Sequence, residues 1–465
     1  MNRNEREKAP APAWGWPAAI LLAAILASAL MVVRGQGLAG TLSNPFLHDD
    51  LTVIGMNPAV QEKGRALEAF TMDYWAMRQG DRRRDRLYRP LVTLSLALNR
   101  SAGGNAPGGY RAANIALHAI ASLLLFWLVL RFGLGPSAAG AVGVLFALHP
   151  IHTEPVNAVV GRADLLAAIG VFGGMGLLVG GALPGLRRRR AASEKEKIGE
   201  EKTGGLSRPV CAGLLFALAL LSKEIGAALL IWAGFWWLWC RGPREETFEG
   251  RTGALLKAAS ALGAVLGGYL LLRYAALGMW VRPVSPSVLD NPLAHAALGG
   301  RMLGALGVLG RYFGLIFWPW PLSIDYSYSQ VMPAGAETAL WALLGAALLL
   351  LWAGAAWRYR ADSPGLAFGL TLFLAAYLPI SNLLIPIGTV MAERLLYLPL
   401  AGFLIAAVPQ AGRFLSGRAP GVLLALAGIL FAGLSFARNG EWSTPLRFWE
   451  SAAKSSPRSA RALQG

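Results

Sequence analysis

The chain holds 465 residues, of which 55% are hydrophobic and only 15% charged, with a formal net charge of +17. Soluble domains carry nearer a quarter charged residues, and the alanines, leucines and glycines here fall in long runs almost free of charge, which excludes a soluble globular chain. The basic residues cluster between those runs, the positive-inside pattern of membrane proteins, so the charge predicts cytoplasmic loops and contact with membrane lipids, and no nucleic acid partner.

The first apolar run, at about 14–33, follows Arg3, Arg6 and Lys8. Ala27-Ser28-Ala29 resembles a signal-peptide cleavage site, but the length of the run and the leading Trp14 and Trp16 favour an uncleaved first helix. In either case the segment 35–110 lies outside, as a long polar loop holding the acidic pair Asp49 and Asp50. Further apolar runs lie near 112–132, 137–149, 162–184, 209–222, 225–240 and 257–274. The stretch 186–208, with Arg187 to Arg190 and a Glu/Lys-rich tract, reads as a cytoplasmic loop. The run 302–319 carries Arg311 and is flanked by Trp318 and Trp320. Later runs near 335–356, 364–382, 395–411 and 420–437 are followed or preceded by arginines that fit the cytoplasm only if 302–319 does not cross, so that segment is predicted to be re-entrant or interfacial on the outer side. Only helices and closed barrels satisfy their backbone in lipid, and no alternating strand pattern is present. The fold class is therefore an all-α polytopic membrane protein with about 11 transmembrane helices, formed by residues 1–437. The tail 438–465, with Trp442, Phe448-Trp449 and Ala452-Ala453 before Pro457, has the spacing of an amphipathic helix. It is predicted to lie outside as a possible start of a helical repeat, either packed on the membrane domain or frayed.

Ionisable residues at bilayer depth need a reason. On the predicted outer side stand His48, Asp49 and Asp50, Tyr88-Arg89-Pro90, His149, His152, Glu154, Arg162, Asp164, Lys223, Glu224, Arg311, Asp325, Glu393 and Arg394. The carboxylates suit acid/base work and the cations suit a phosphate. That pairing fits transfer from a lipid-linked phosphate sugar, in which a carboxylate deprotonates an acceptor hydroxyl and cations stabilise the leaving phosphate. The bland readings are an Asp-Asp turn or helix cap, a local Lys223-Glu224 ion pair, and a bent helix end at His149, His152 and Glu154 in place of a metal site. Cys211 and Cys240 give no metal spacing and no disulfide framework. A transporter would show internal repeats and broken midplane helices, and no such repeat is evident here.

The stretches FLHDDLTVIGMNPAV (46–60), YRPLVTLSLALN (88–99), NIALHAIASLLLF (114–126), HPIHTEPVNAVVGRADLLA (149–167), LSKEIG (221–226), DNPLA (290–294), RYFGLIFWPWPLSIDYSY (311–328), SNLLIPIGTVMAERLLYLPLAGF (381–403) and RNGEW (438–442) run in order along the chain. In wording and order the sequence resembles the transmembrane and tetratricopeptide-repeat-containing O-mannosyltransferases and their bacterial relatives, of the C-type glycosyltransferase superfamily. The resemblance implies the C-type glycosyltransferase fold, a polyprenyl-phosphate-linked sugar as donor, a protein or glycan acceptor, an outward-facing site and a catalytic aspartate in the first outer loop. Asp49 and Asp50 occupy that position, with Asp49 as base and Asp50 as its orienting neighbour, roles the two could exchange. Arg162, Lys223, Arg394 and Arg89 are assigned to donor phosphate from charge and side. His149, His152, Glu154, Asp164, Glu224, Arg311, Asp325 and Glu393 are assigned as support. No metal ligands are assigned, and a divalent metal is left open because superfamily members differ in metal dependence. The tail stops within what would be the family's first repeat. The Ala/Gly/Arg-rich composition points to a bacterial cytoplasmic membrane.

Overall fold

The computed structural model describes residue 42 and residues 44–75, 87–179, 208–239, 248–280, 286–360, 362–415 and 417–465. The first apolar run, most of the predicted loop 186–208, and Cys240 lie outside the described residues.

The described chain is helical, with no strand among its elements. The main helices are α1 (Pro90–Gly103), α2 (Pro107–Phe132), α3 (Pro136–Leu148), α4 (Arg162–Val179), α5 (Arg208–Ser222), α6 (Ala228–Trp239), α7 (Phe248–Leu277), α8 (Leu298–Phe317), α9 (Ala336–Arg358), α10 (Pro364–Tyr377), α11 (Tyr397–Phe414), α12 (Ala419–Asn439), α13 (Pro445–Ser455) and α14 (Ala460–Gln464). Proline opens α1, α2, α3, α10 and α13, where its missing N–H is no loss and its fixed φ suits the first helical position. Gly133 closes α2 at φ 91°, a left-handed cap that glycine adopts freely.

Among the described residues six helices are long and apolar enough to cross a membrane: Pro107–Phe132, Val159–Val179, Leu256–Leu277, Ala336–Arg358, Glu393–Phe414 and Ala419–Ser443. Four shorter apolar helices, Pro136–Leu148, Arg208–Ser222, Glu224–Trp236 and Pro364–Ile380, account for the other described runs. The expected total of eleven crossings thus counts four short helices as spans and one run outside the described residues. The spans differ in depth. In the most apolar 18-residue stretch of Val159–Val179, 83% of the residues are buried among neighbours, whereas in that of Ala336–Arg358 17% are, and the helix turns Leu340, Leu343, Leu350 and Leu351 outward. Such an outward apolar face is what lipid accepts.

Between helices in lipid, close packing rather than hydrophobic exclusion supplies the attraction, and small residues permit it. α8 and α9 meet at Gly310 and Gly345: a Cβ on Gly310 would stand 1.9 Å from the Trp341 carbonyl oxygen. α10 and α11 meet in the same way at Gly369 and Gly402, where a Cβ on Gly369 would lie 2.3 Å from the Gly402 carbonyl.

Residues 302–317 of the segment 302–319 belong to one 20-residue helix, α8. Near its start Gly304 packs on Leu293 and Pro333, and near its end the Ile316 carbonyl accepts from His149 Nε2 at 3.1 Å. Both ends therefore touch connections that the sequence assigns to one side, and α8 is not among the six spans.

The tail packs against the rest. Trp442 and Phe448 bury themselves with Leu47 of the first loop, against Ile324 and Trp449. Ser329 N donates to the Arg458 carbonyl at 2.8 Å and Ala460 N to the Tyr328 carbonyl at 2.7 Å, so α14 is stitched to the connection between α8 and α9.

Candidate active site

The acidic pair sits on a loop that the protein holds from behind. The buried Arg111 guanidinium donates to the backbone carbonyls of Asn44 and Pro45, the latter at 2.7 Å, and to that of Asn157 at 3.4 Å. Its neighbour Asn114 donates to the Ala158 carbonyl at 3.0 Å. This pins the first loop to the turn that precedes α4.

The two aspartates are adjacent and dissimilar. Asp50 is buried, and its Oδ1 accepts from Val160 N at 2.9 Å. Burial pushes its carboxyl up to about 6, against the pull of the Val160 and Val159 amides and of Arg111. Asp49 keeps a partly exposed side chain, bonded at Oδ1 to His48 Nδ1 at 3.0 Å. Burial works against its charge, but the His48 bond and the positive charges of His48, Arg394 and Arg461 hold the carboxyl below its ordinary range.

From Asp49 a chain of opposite charges runs across the helix ends. Arg394 lies in a 3₁₀ turn before α11, within the electrostatic reach of Asp49. Glu154 binds it twice: Oε2 accepts from the Arg394 backbone N at 2.9 Å, and Oε1 accepts from its guanidinium. Asp164, in the first turn of α4, also acts on Arg394 and takes Lys223 Nζ on both oxygens at 2.6 Å. Lys223 and Glu224 stand at the break between α5 and α6, and Arg89 donates to Glu224 Oε2 at 2.9 Å while lying 5.3 Å from the centre of the Tyr74 ring. Every charge in the row sits at a helix terminus or a short break.

Other residues singled out in the sequence have different work. Arg162 is buried and donates through all three nitrogens, to Asn114 Oδ1 at 2.9 Å, the Ser95 carbonyl at 3.1 Å, Asn99 Oδ1 at 2.5 Å and the Tyr110 carbonyl at 2.9 Å. It braces α1, α2 and α4 and does not reach the row of open charges. His149 donates to the Ile316 carbonyl, while His152 bonds the Phe146 carbonyl at 2.7 Å. With Glu154 given to Arg394, the metal spacing does not become a metal site. Among the described residues no group of three His, Cys, Asp or Glu side chains is placed to hold an ion. Arg311 pairs with Glu337 at 2.6 Å across α8 and α9. Glu393 is wholly enclosed, accepting from the Tyr326 hydroxyl at 2.7 Å and from Ser323 N, with Arg438 at 3.8 Å. Asp325 accepts from Ser459 Oγ at 2.7 Å and Arg461 at 3.2 Å, so it moors the tail.

Sequence reasoning missed Arg461, Trp449 and Tyr74. Arg461 bridges Asp325 and Asp290 and lends its charge to Asp49. Asp290 belongs to the DNPLA stretch quoted above, which is the one signal that pointed here.

No protein-family model matches the chain. The chain is 28% identical to the protein O-mannosyl-transferase TMTC4 of Homo sapiens, over 91% of this chain and 61% of that protein. It is 29% identical to the protein O-mannosyl-transferase Tmtc1 of Drosophila melanogaster, over 78% and 49%, and 27% identical to the protein O-mannosyl-transferase F38B6.6 of Caenorhabditis elegans, over 90% and 56%. It thus spans about half to three-fifths of the length of these curated relatives. Among solved structures, the crystal structure of the Archaeoglobus fulgidus oligosaccharyltransferase tethered with an acceptor peptide containing the NVT sequon aligns with a TM-score of 0.46 at 14% identity, over 92% of this chain and 55% of that one. The similarity read from the motifs therefore extends over most of the chain.

Proposed function

We propose that this multi-pass membrane protein is a glycosyltransferase that moves a hexose, mannose in the first instance, from a polyprenyl-phosphate donor to an acceptor hydroxyl. The acceptor is a serine or threonine of a protein, and the reaction takes place on the outer face of a bacterial cytoplasmic membrane. The observation that carries the reading is Asp49: a partly open carboxylate beside a row of cations at helix ends. The names of the relatives, protein O-mannosyl-transferases, support the sugar and the protein acceptor.

Asp49 takes the proton of the acceptor hydroxyl as its oxygen attacks the anomeric carbon. The bond from that carbon to the phosphate oxygen breaks, and its electron pair leaves on the lipid phosphate. Arg394, with Lys223 and Arg89 behind it, stabilises the charge gathering on the leaving oxygen. Glu154, Asp164 and Glu224 hold those cations in place, and Asp50 fixes the loop through its bond to Val160. A site at helix ends suits a donor whose leaving group stays anchored in the membrane.

The test uses the purified chain in detergent or nanodiscs, polyprenyl-phosphate mannose and a serine/threonine peptide. Sugar should pass to the peptide hydroxyl, and Asp49→Asn should abolish transfer while donor binding persists. Transfer at the unsubstituted rate by Asp49→Asn would remove the basis of the assignment.

A further inference from the structure

We propose that His48 is a positioning residue for this reaction: its ring fixes the Asp49 carboxylate, and Trp449 of α13 fixes the ring. The inference rests on the reading of Asp49 as base.

The geometry begins with the backbone. His48 has φ 50°, the left-handed region that a non-glycine residue seldom adopts. Asp50 N closes onto the Leu47 carbonyl at 3.0 Å and Leu51 N onto the His48 carbonyl at 3.2 Å, so a tight turn leads into the helical segment that begins at Asp49. In a regular helix adjacent side chains point apart. Here the left-handed residue brings the His48 and Asp49 side chains together, Nδ1 to Oδ1 at 3.0 Å. One carboxylate oxygen is thereby tied and the plane of the group set, which leaves Oδ2 to receive the acceptor proton.

The ring is held from the other side. His48 meets Trp449 edge-on, with ring centres 5.8 Å apart. α13 is in turn locked by the Trp442 and Phe448 cluster on Leu47, and α14 by Arg461 on Asp290 and Asp325. The tail outside the membrane thus forms the far wall of the base's mounting. The charged groups facing His48 are Asp49, Arg394 and Arg461. The carboxylate favours the imidazolium, while burial and the two arginines oppose it.

A general base must stand at hydrogen-bond distance from the proton it takes, and a misplacement of about 1 Å costs on the order of 100-fold. His48→Ala should therefore lower kcat by roughly ten- to a hundred-fold at neutral pH with donor KM unchanged. It also removes a bond and a charge that hold the Asp49 carboxyl down. The acidic limb of the kcat profile should then move to higher pH, which a role in folding alone would not produce. His48→Asn carries an amide donor near the Nδ1 position and should recover most of the rate, whereas His48→Gln, whose amide lies nearer Nε2, should not.

The assay is transfer from polyprenyl-phosphate mannose to the peptide, with Asp49→Asn in parallel. An inactive Asp49→Asn beside a His48→Ala of unchanged rate and pH limb overturns the role of His48 and leaves the base intact. An active Asp49→Asn overturns the base itself. Where His48→Ala is not recovered folded, the Asn and Gln variants decide: equal rates in the two overturn the proposal.

Discussion

Two polar regions lie side by side beneath the first loop, and they are built on opposite principles. Around Arg111, Asn114, Asp50 and Arg162, each donor ends on a fixed carbonyl or amide oxygen, and the arginines are enclosed. Around Asp49, Arg394, Lys223 and Arg89, charge is paired with charge, and Asp49, Arg394 and Glu224 keep partly exposed side chains. The first region spends its polar groups on the protein's own backbone and amide side chains. The second holds groups that a ligand can engage without first breaking the fold. Residue type does not separate them, since each has arginine and aspartate; the identity of the partner does.

The sharpest way to test that contrast is at the adjacent aspartates. Asp49→Asn should cut kcat by about 10²–10⁴-fold with little change in KM, because loss of a base acts on the transition state. Arg162→Ala should act on the other ledger, leaving buried acceptors on Asn114, Ser95 and Tyr110 without a donor. Each such loss is worth about 1–3 kcal/mol, so the melting temperature in detergent should collapse. An Arg162→Ala protein of normal stability and weakened donor binding would show that the closed region is part of the site. Arg394→Ala should raise donor KM about tenfold, as expected for a charged contact worth roughly 1.5 kcal/mol, and also lower kcat, since the cation meets phosphate before and during departure. The smallest effect belongs to Asp50→Asn. A carboxyl raised from 3.8 to about 6 in the folded state gives stability that is complete below the lower value and is lost as pH rises through the upper one. The melting temperature of the wild type should therefore fall between pH 4 and pH 7 relative to Asp50→Asn, and a constant difference across that range would contradict the assignment.

The helices were legible because the bilayer demands long apolar runs, and ten of them recur as described helices. Glycine pairs such as Gly310 with Gly345 were visible as letters, but their contact depends on how α8 and α9 meet. The candidate site was legible as a set and not as a division of labour. Arg162 and Arg394 both follow a break and both begin a helical segment, and the sequence assigned both to phosphate. Which of them faces the open side is fixed by Asn114 and Asn99 in one case and Glu154 in the other, partners 48, 63 and 240 residues away. Spacing misleads at His149, His152 and Glu154 for a related reason: a 3₁₀ turn at Pro150–His152 gives the two imidazoles separate backbone carbonyls, and Arg394 takes the carboxylate. The tail's amphipathic pattern could be read, but its mooring joins Arg461 to Asp325 across 136 positions and no local signal carries that.

The one-to-one pairing of Arg394 with Glu154, Lys223 with Asp164 and Arg89 with Glu224 has a consequence for turnover. In the proposed reaction a donor phosphodiester with one negative charge becomes a lipid monophosphate with about 1.5 to 2 near neutral pH. Three bare cations would grip that product more firmly than the substrate and stall the cycle. In that reaction, cations already balanced by carboxylates add little net charge to the site, so the spent lipid gains less over the donor than it would against bare cations, and its release needs no separate device.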